Sequence, residues 1–478
     1  MNKKNLGTVV CLLGITSTVL LQATLYKRPN SHYTQHLESP ELSPVETTSF
    51  SSHLPIISIT TDESIPGAYI NGENYKDGYV TTESGLDITT GTYNIYSSDI
   101  HYNSLLDTPT ESGNLNIKIR GNSSRAFLKK SYEFNCLDEE GNEIDISVLG
   151  LPAGHQYVLY GPYVDETYMR NYMWYNLAGQ IMDYAPTCKY VELFNNGEYD
   201  GLYLLLTPIS VSEERIDISV KKKRSSYSGY ILRLDRPEKE YTIDNFTHYT
   251  YIYANQIGII YPRAKLTPEI EKKITDDYNR FEKTLHSYDY KSEDFGYEKY
   301  IDVASFVDYF IINELSGNND SGQFSTYVYK DKSGKYKMAV WDFNICANNA
   351  DISSDEVSGF DLVNDYLFLY LMKDEEFNKR IINRYKALRE DLLSEENLLK
   401  YVDETSSFLG EAIDRNRERW PEINVPKTPV WEINSYEDAI DQYKDYLIRR
   451  GRWMDENIDT LLQYSADSSN KKYNEVSE

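Results

Sequence analysis

From Leu115 to Arg120 the chain alternates side chains. Leu115, Ile117 and Ile119 are apolar, and Asn116, Lys118 and Arg120 are polar. A two-residue period is that of a strand with one buried face, and it predicts a strand here. Short runs rich in β-branched and aromatic residues predict further strands at 157–160, 190–194, 201–206, 229–234 and 257–261. Asn195-Asn196-Gly197 reads as a tight turn between two of them, because Asn and Gly tolerate positive φ. One helix is expected to interrupt the strands, over 166–183, with Asp165 capping its N-terminus.

The second half changes period. Pro268 is placed to open a charged helix reaching about residue 287. Val303, Phe306, Val307, Phe310, Ile311 and Leu315 recur at three- and four-residue spacing, so 301–316 presents one apolar face. A hairpin is predicted next, with strands 327–330 and 336–341 around the turn 331–334. Helices should follow near 375–394, 395–419 and 436–464. Strands first and helices after give an α+β layout. A cleft between a strand-rich and a helix-rich part is where a small ligand is expected.

Composition narrows the function. The chain has 478 residues, a formal net charge of −26, 40% hydrophobic and 13% aromatic residues. That is enough apolar material for a sizeable core, so wholesale disorder is excluded. The acidic balance argues against nucleic-acid binding, which needs a basic footprint, and against simple attraction to anionic lipid. Tyr is abundant, at 44 residues, which suits a wet surface and also motivates a carbohydrate-associated reading. Of the four cysteines, Cys11 sits in the N-terminal apolar run, and none is in CxxC spacing, so a thiolate zinc site is not expected. A disulfide among Cys136, Cys188 and Cys346 is left open. Lys3 and Lys4 precede an apolar stretch over 6–25, the pattern of an export signal. The expected organisation is a signal peptide or membrane anchor over 1–28 and a flexible linker over 29–54. A body follows over 55–464, divided near 265, and then a disordered tail over 465–478. The location expected is extracellular or at the cell surface, with membrane attachment if the N-terminal segment is retained.

Three constellations carry chemistry. The first is Arg120-Gly121-Asn122-Ser123-Ser124-Arg125 with Lys129-Lys130-Ser131-Tyr132. Gly121 permits a sharp turn, and four cations close together in an acidic chain could cradle phosphate oxygens. If 130–134 is a strand, Lys130 shares the inward face of Tyr132 and Phe134 and is the better cleft lysine. A solvated basic loop is the competing reading. The second and third are Asn318-Asn319-Asp320, after the 301–316 helix, and Trp341-Asp342-Phe343-Asn344, after the hairpin. The hairpin between them should bring both carboxylates to one end. Kinases use that arrangement, one Asp handling the substrate hydroxyl and the other holding magnesium, and Asn344 offers a further oxygen. A turn Asp plus a capping Asp is the plainer alternative. No G-x-S-x-G, HExxH, Walker lysine loop or GxGxxG is present.

Together these segments resemble the CotH family, the spore-coat-protein-H-like kinases. The resemblance rests on 119–125 with Lys129-Lys130-Ser131-Tyr132, on DETYMRN from Asp165 to Asn171, and on Gly201-Leu202-Tyr203-Leu204-Leu205. It extends through 301–320, the 327–343 hairpin and 449–455. It implies an atypical protein-kinase-like fold with a strand-rich N-lobe and a helix-rich C-lobe. It implies ATP-dependent phosphorylation of Ser or Thr in secreted, surface or coat proteins. Asp320 would be the catalytic Asp and a metal ligand. Asp342 and Asn344 would bind Mg²⁺ or Mn²⁺, and Arg120, Asn122, Arg125, Lys129 and Lys130 would contact ATP. Two departures accompany it: Asn344 replaces a frequent Asp, and Thr207 stands where a Glu is frequent. Ser325 also stands where a kinase-like loop would place a metal-binding Asn. A kinase-fold surface scaffold that has lost catalysis is therefore the alternative.

Overall fold

The structure is a computed structural model describing residues 34–44, 49–72, 75–220, 228–236, 241–248, 256–349, 356–421 and 433–466. Seven strands among these close a barrel: β1 Ile56–Thr61, β2 Thr89–Tyr96, β3 Glu111–Arg120, β4 Ser131–Leu137, β5 Gln156–Tyr160, β6 Cys188–Asn195 and β7 Glu198–Leu206. Neighbours pair antiparallel in the order β1-β2-β3-β4-β5-β7-β6. A parallel pairing of β1 with β6, Ile56 opposite Glu192 through Ile59 opposite Asn195, closes the ring. Ile57, Ile59, Leu115, Ile117, Ile119, Phe134 and Leu205 fill the interior. The alternation read at 115–120 is the inward face of β3. Asn196 (φ 51°) and Gly197 (φ 85°) form the two-residue turn between β6 and β7, which matches a primed hairpin turn.

The next strands form a separate antiparallel sheet. β8 Tyr230–Asp235, β9 Gln256–Tyr261, β10 Thr326–Lys330 and β11 Lys337–Ala339 lie in the order β9-β8-β10-β11. Ile231 and Tyr327 face one side. Leu232, Val328 and Met338 face the other, into the large helical core. The longer helices among the described residues are α1 Arg170–Ile181, α2 Pro268–Leu285, α3 Val303–Ser316, α4 Glu375–Arg389, α5 Glu395–Leu409, α6 Glu411–Arg419 and α7 Tyr436–Asn457. Thr267 caps α2 by accepting from Ile270 N, and Asp302 caps α3 by accepting from Ser305 N. The molecule is a mixed α and β protein.

Several boundaries differ from the sequence reading. α1 begins at Arg170 rather than 166, because Tyr168 takes φ 59° and breaks the run. Asp165 is therefore not the cap residue, although its carboxylate still accepts from Arg170 N at 2.9 Å. The 395–419 helix is two helices, broken where Gly410 adopts φ 46°. The last long helix stops at Asn457, and a 3-10 segment, Ile458–Ser465, continues it. Part of the expected linker is docked on the body. The Gln35 side chain bonds both Tyr190 N (2.6 Å) and Tyr190 O (3.2 Å), and residues 51–52 pair with 103–104. Cys136, Cys188 and Cys346 are buried free thiols, so no disulfide links them. No helix among the described residues is long and apolar enough to cross a membrane. The N-terminal apolar run and the tail beyond residue 466 lie outside the described residues.

Candidate active site

Three carboxylates converge on one end of the four-stranded sheet. Leu234 of β8 sits opposite Thr326, the first residue of β10, so Asp235 ends β8 there. Tyr327 sits opposite Ala339, so the chain leaving β11 delivers Trp341 and Asp342 to the same end. Asp320 lies in the loop that enters β10. That loop is built by backbone economy. Gly317 ends α3 in the left-handed region (φ 63°), a conformation glycine adopts without strain. Asn318 N then reaches Asn313 O (3.0 Å), and Phe324 N reaches Asp320 O (2.7 Å). Asp320 uses its carbonyl to hold the loop. Its half-buried carboxylate accepts no hydrogen bond among the described residues.

Asp342 is held in a strained conformation, φ 63°, a state that costs on the order of 1–3 kcal/mol for a non-glycine residue. Its neighbours over-determine it. Asp342 N donates to Tyr175 Oη (3.1 Å) and Phe343 N donates to Asn171 Oδ1 (2.7 Å). Arg170 Nε donates to Cys346 O (3.1 Å), and the Arg170 guanidinium forms a buried ion pair with Asp165 (2.5 Å). The DETYMRN segment is thus the clamp on the Asp342 loop. Burial pushes the Asp342 carboxyl up to about 6; Arg120 opposes this, the charges of Asp320 and Asp235 add to it, and Arg236 opposes it. Burial also raises Asp320, with Arg236 opposing and Asp235 adding.

The basic run divides. Arg120, at the end of β3, lies over the Trp341 ring, 5.5 Å from its centroid. Its guanidinium forms no ion pair or hydrogen bond among the described residues. Arg125 is engaged: Nε donates to Gly121 O (2.7 Å), Nη1 donates to Gly67 O (2.5 Å), and it covers Tyr79. Asn122 O accepts from Tyr69 Oη at 2.7 Å. Lys130 Nζ closes the loop on Arg125 O (2.8 Å). Lys129, not Lys130, is the buried lysine, 1% exposed. β4 begins at Ser131, so the strand parity used to choose Lys130 does not extend back to it. Lys129 Nζ donates to Leu202 O (2.5 Å) and Asn416 Oδ1 (2.7 Å), and burial lowers its ammonium to about 7.

A hard cation fits the donor set in part. Among the described residues the Asp320 and Asp342 carboxylates accept no hydrogen bond, and Asn344 follows in the same loop. No group of three or more His, Cys, Asp or Glu among the described residues is arranged to hold a metal by itself. Asp320 and Asp342 are the residues that would hold a hard cation such as Mg²⁺, whose remaining shell phosphate oxygens and water would supply. Thr207 is fully buried and its Oγ1 accepts from Thr187 N (3.0 Å), so it braces the barrel edge. Ser325 adopts φ 47° where the loop turns into β10.

Sequence reasoning missed Asp235 and Arg236. They stood at the end of a predicted strand, but only the β8–β10 register shows that this end is Asp320's end.

No curated protein matches the chain. Among solved structures, a chain of the HipA, HipB and operator DNA complex from Shewanella oneidensis MR-1 is similar at 14% identity and a TM-score of 0.27. The match covers 70% of this chain and 66% of that one. A likeness that low carries no argument about this protein. The family described as CotH kinase protein matches residues 117–454, a span that takes in Arg120, Asp320, Asp342 and the clamp on the Asp342 loop. The chain belongs to the CotH kinase family.

Proposed function

We propose that this chain transfers the γ-phosphoryl group of ATP to a Ser or Thr hydroxyl of a protein. The observation that carries the reading is the pairing of Asp320 and Asp342. Two carboxylates with no hydrogen-bond donor among the described residues share one sheet end, the charge of Asp320 bearing on Asp342, in a CotH kinase family member. Asp320, on the loop after α3, would accept or orient the substrate hydroxyl's proton. Asp342 and Asn344 would hold Mg²⁺, with Asp320 within the same field. Bound magnesium would supply neutralisation of the phosphate charge during transfer. Arg120 would face the phosphates from β3.

One observation favours a second reading, a kinase-fold binding protein without turnover. Lys129 is buried and spends its ammonium on Leu202 O and Asn416 Oδ1, and half-buried Lys130 is tied to Arg125 O, so the basic run does not offer a fully free lysine to a nucleotide among the described residues. The N-terminal charge and apolar pattern supports export to the cell surface, where protein targets would be met.

Calorimetric titration of the intact chain with ATP, with and without Mg²⁺, separates the readings when combined with labelled-phosphate transfer to casein-like acceptors. The expected result is metal-dependent binding, lost by at least about 100-fold in Asp342→Ala, with transfer abolished in Asp320→Asn. Binding without transfer in the wild type supports the scaffold reading. Unchanged Mg·ATP affinity in Asp342→Ala refutes the site.

A further inference from the structure

Phosphoryl transfer needs positive charge beside the phosphates; Lys129 of the basic run is buried on Leu202 O and Asn416 Oδ1, and Lys130 is tied to Arg125 O. A different cation approaches the site. Arg236 follows the last residue of β8, at the sheet end that carries Asp235, Asp320 and Asp342. Its guanidinium carbon lies 4.0 Å from the centroid of the Phe324 ring, in the loop between Asp320 and β10. Among the described residues its acidic partner is Asp235 Oδ1 at 3.9 Å, a long contact, and its side chain is 54% exposed. Arg236 N donates to Asp235 Oδ1 at 2.8 Å, which fixes where the side chain departs. The positive charge of Arg236 bears on both Asp320 and Asp342, and that of Arg120 on Asp342.

The geometry points to Arg236 and Arg120 as a two-arginine clamp for a polyphosphate. Arg120 enters from the barrel, seated on Trp341, and Arg236 enters from the four-stranded sheet, seated on Phe324. A guanidinium seated over a ring spends none of its N–H groups on a carboxylate and can turn them to bidentate contacts with phosphate oxygens. The assignment rests on the phosphoryl-transfer reading of the same site. It takes the phosphate-binding role from Lys129 and Lys130 and makes the ligand class a nucleoside triphosphate or a chain of like charge. Trp341 immediately precedes Asp342, and Phe324 lies four residues after Asp320 with its N–H on the Asp320 carbonyl, which places the cations near the carboxylates without a tight ion pair to them among the described residues.

The test titrates the full chain with ATP, inorganic tripolyphosphate and adenosine in the presence of Mg²⁺. It compares wild type, Arg236→Gln, Arg236→Lys, Arg120→Gln and Lys272→Gln, the last removing one exposed charge elsewhere. Arg236→Gln and Arg120→Gln should each weaken ATP and tripolyphosphate by about 10-fold or more, leave adenosine unchanged and reduce the salt dependence of binding. Arg236→Lys should recover part of the loss. Melting temperature checks folding, and Phe324→Leu, which removes only the seat of Arg236, should give a smaller loss in the same direction. The clamp is overturned if wild type binds no tripolyphosphate, or if Arg236→Gln loses no more than Lys272→Gln. If the arginine variants lose tripolyphosphate while wild type transfers no labelled phosphate, the clamp stands and the kinase reading falls.

Discussion

Lys129 is nearly sealed from water between β7 and α6, with two neutral acceptors and, among the described residues, no carboxylate bonded to it. Taking an ammonium out of water disfavours its charged form, and burial lowers this one to about 7. The folded state therefore binds this proton less well than the unfolded chain, whose lysine keeps the ordinary value of 10.5. Below pH 7 the cost of burying the charge is fully present. As pH rises from about 7 towards 10.5 that cost is relieved, so this group's contribution favours the fold increasingly with pH. Over pH 7 to 9 the gain is on the order of 2 kcal/mol. In Lys129→Met it should vanish: the stability of wild type minus variant, from urea unfolding at several pH values, should climb across that window. A flat difference would mean that Lys129 stays charged when folded. The residue types of this run were legible as a cluster of cations. Which lysine turned inward was not, because that depended on where β4 starts, a one-residue matter. Asp320 and Asp342 were legible because a helix, a hairpin and two acidic residues suffice to place them. Asp235 was not, because its neighbour in space comes from a strand pairing remote in sequence.

At the scale of elements, α3, α7 and the segment after the Asp342 loop are joined by one buried pair. Arg450 Nη2 meets Glu314 Oε2 at 2.8 Å, with the two residues only 3% and 2% exposed. Arg450 also donates to Glu314 O, Val357 O and Gly359 O, while Glu314 accepts from Asp361 N and Leu362 N. Farther along, Asp365 accepts from Gln323 Nε2 at 3.0 Å, which ties the segment to the Asp320 loop. Breaking a buried pair from one side leaves an uncompensated charge, a loss of roughly 3–5 kcal/mol. Arg450→Met is expected to destabilise the protein by that order and to raise amide exchange across 357–362 before the core exchanges. A fall in stability with exchange at 357–362 unchanged would show that the pair does not hold this segment. The helices themselves were readable from apolar spacing and from Pro268 at the start of α2, whereas their caps, Thr267 and Asp302, emerged only in the structure. Their ends failed where a non-glycine residue, Tyr168, took a left-handed turn, because pattern alone does not announce that choice.

At the scale of the molecule, the barrel was the part least visible in the sequence. Its individual strands announce themselves, but closure depends on β1 meeting β6 in parallel across more than a hundred residues, and no local period encodes that. Beside the core that barrel and helices share, they meet closely at Gly201. Gly201 in β7 has φ +108°, and a Cβ there would lie 2.6 Å from Asn416 Oδ1 and 3.1 Å from Trp420 Nε1. Asn416 Oδ1 accepts from Leu202 N (3.0 Å) as well as from Lys129, and Trp420 Nε1 donates to Asp200 O (2.8 Å). Glycine serves two needs at once there, a backbone conformation closed to L side chains and the close approach of α6. Gly201→Ala is therefore expected to cost roughly 2–4 kcal/mol from backbone strain and displaced contacts together. Asn416→Ala should cost less, about 1–3 kcal/mol, by leaving the buried Lys129 and Leu202 donors without their acceptor. If barrel and helices unfold as one unit, both variants shift a single urea transition equally when followed by tryptophan fluorescence and by far-ultraviolet dichroism. Trp174 and Trp453 report from the helical core, Trp341 from the sheet end and Trp420 from the junction itself, whereas dichroism averages the whole chain. Separation of the two curves in Gly201→Ala would mean that the junction at Gly201, rather than a shared core, couples the barrel to the part carrying Asp320 and Asp342. Coincident curves with an unchanged midpoint would remove the junction from the account of stability altogether.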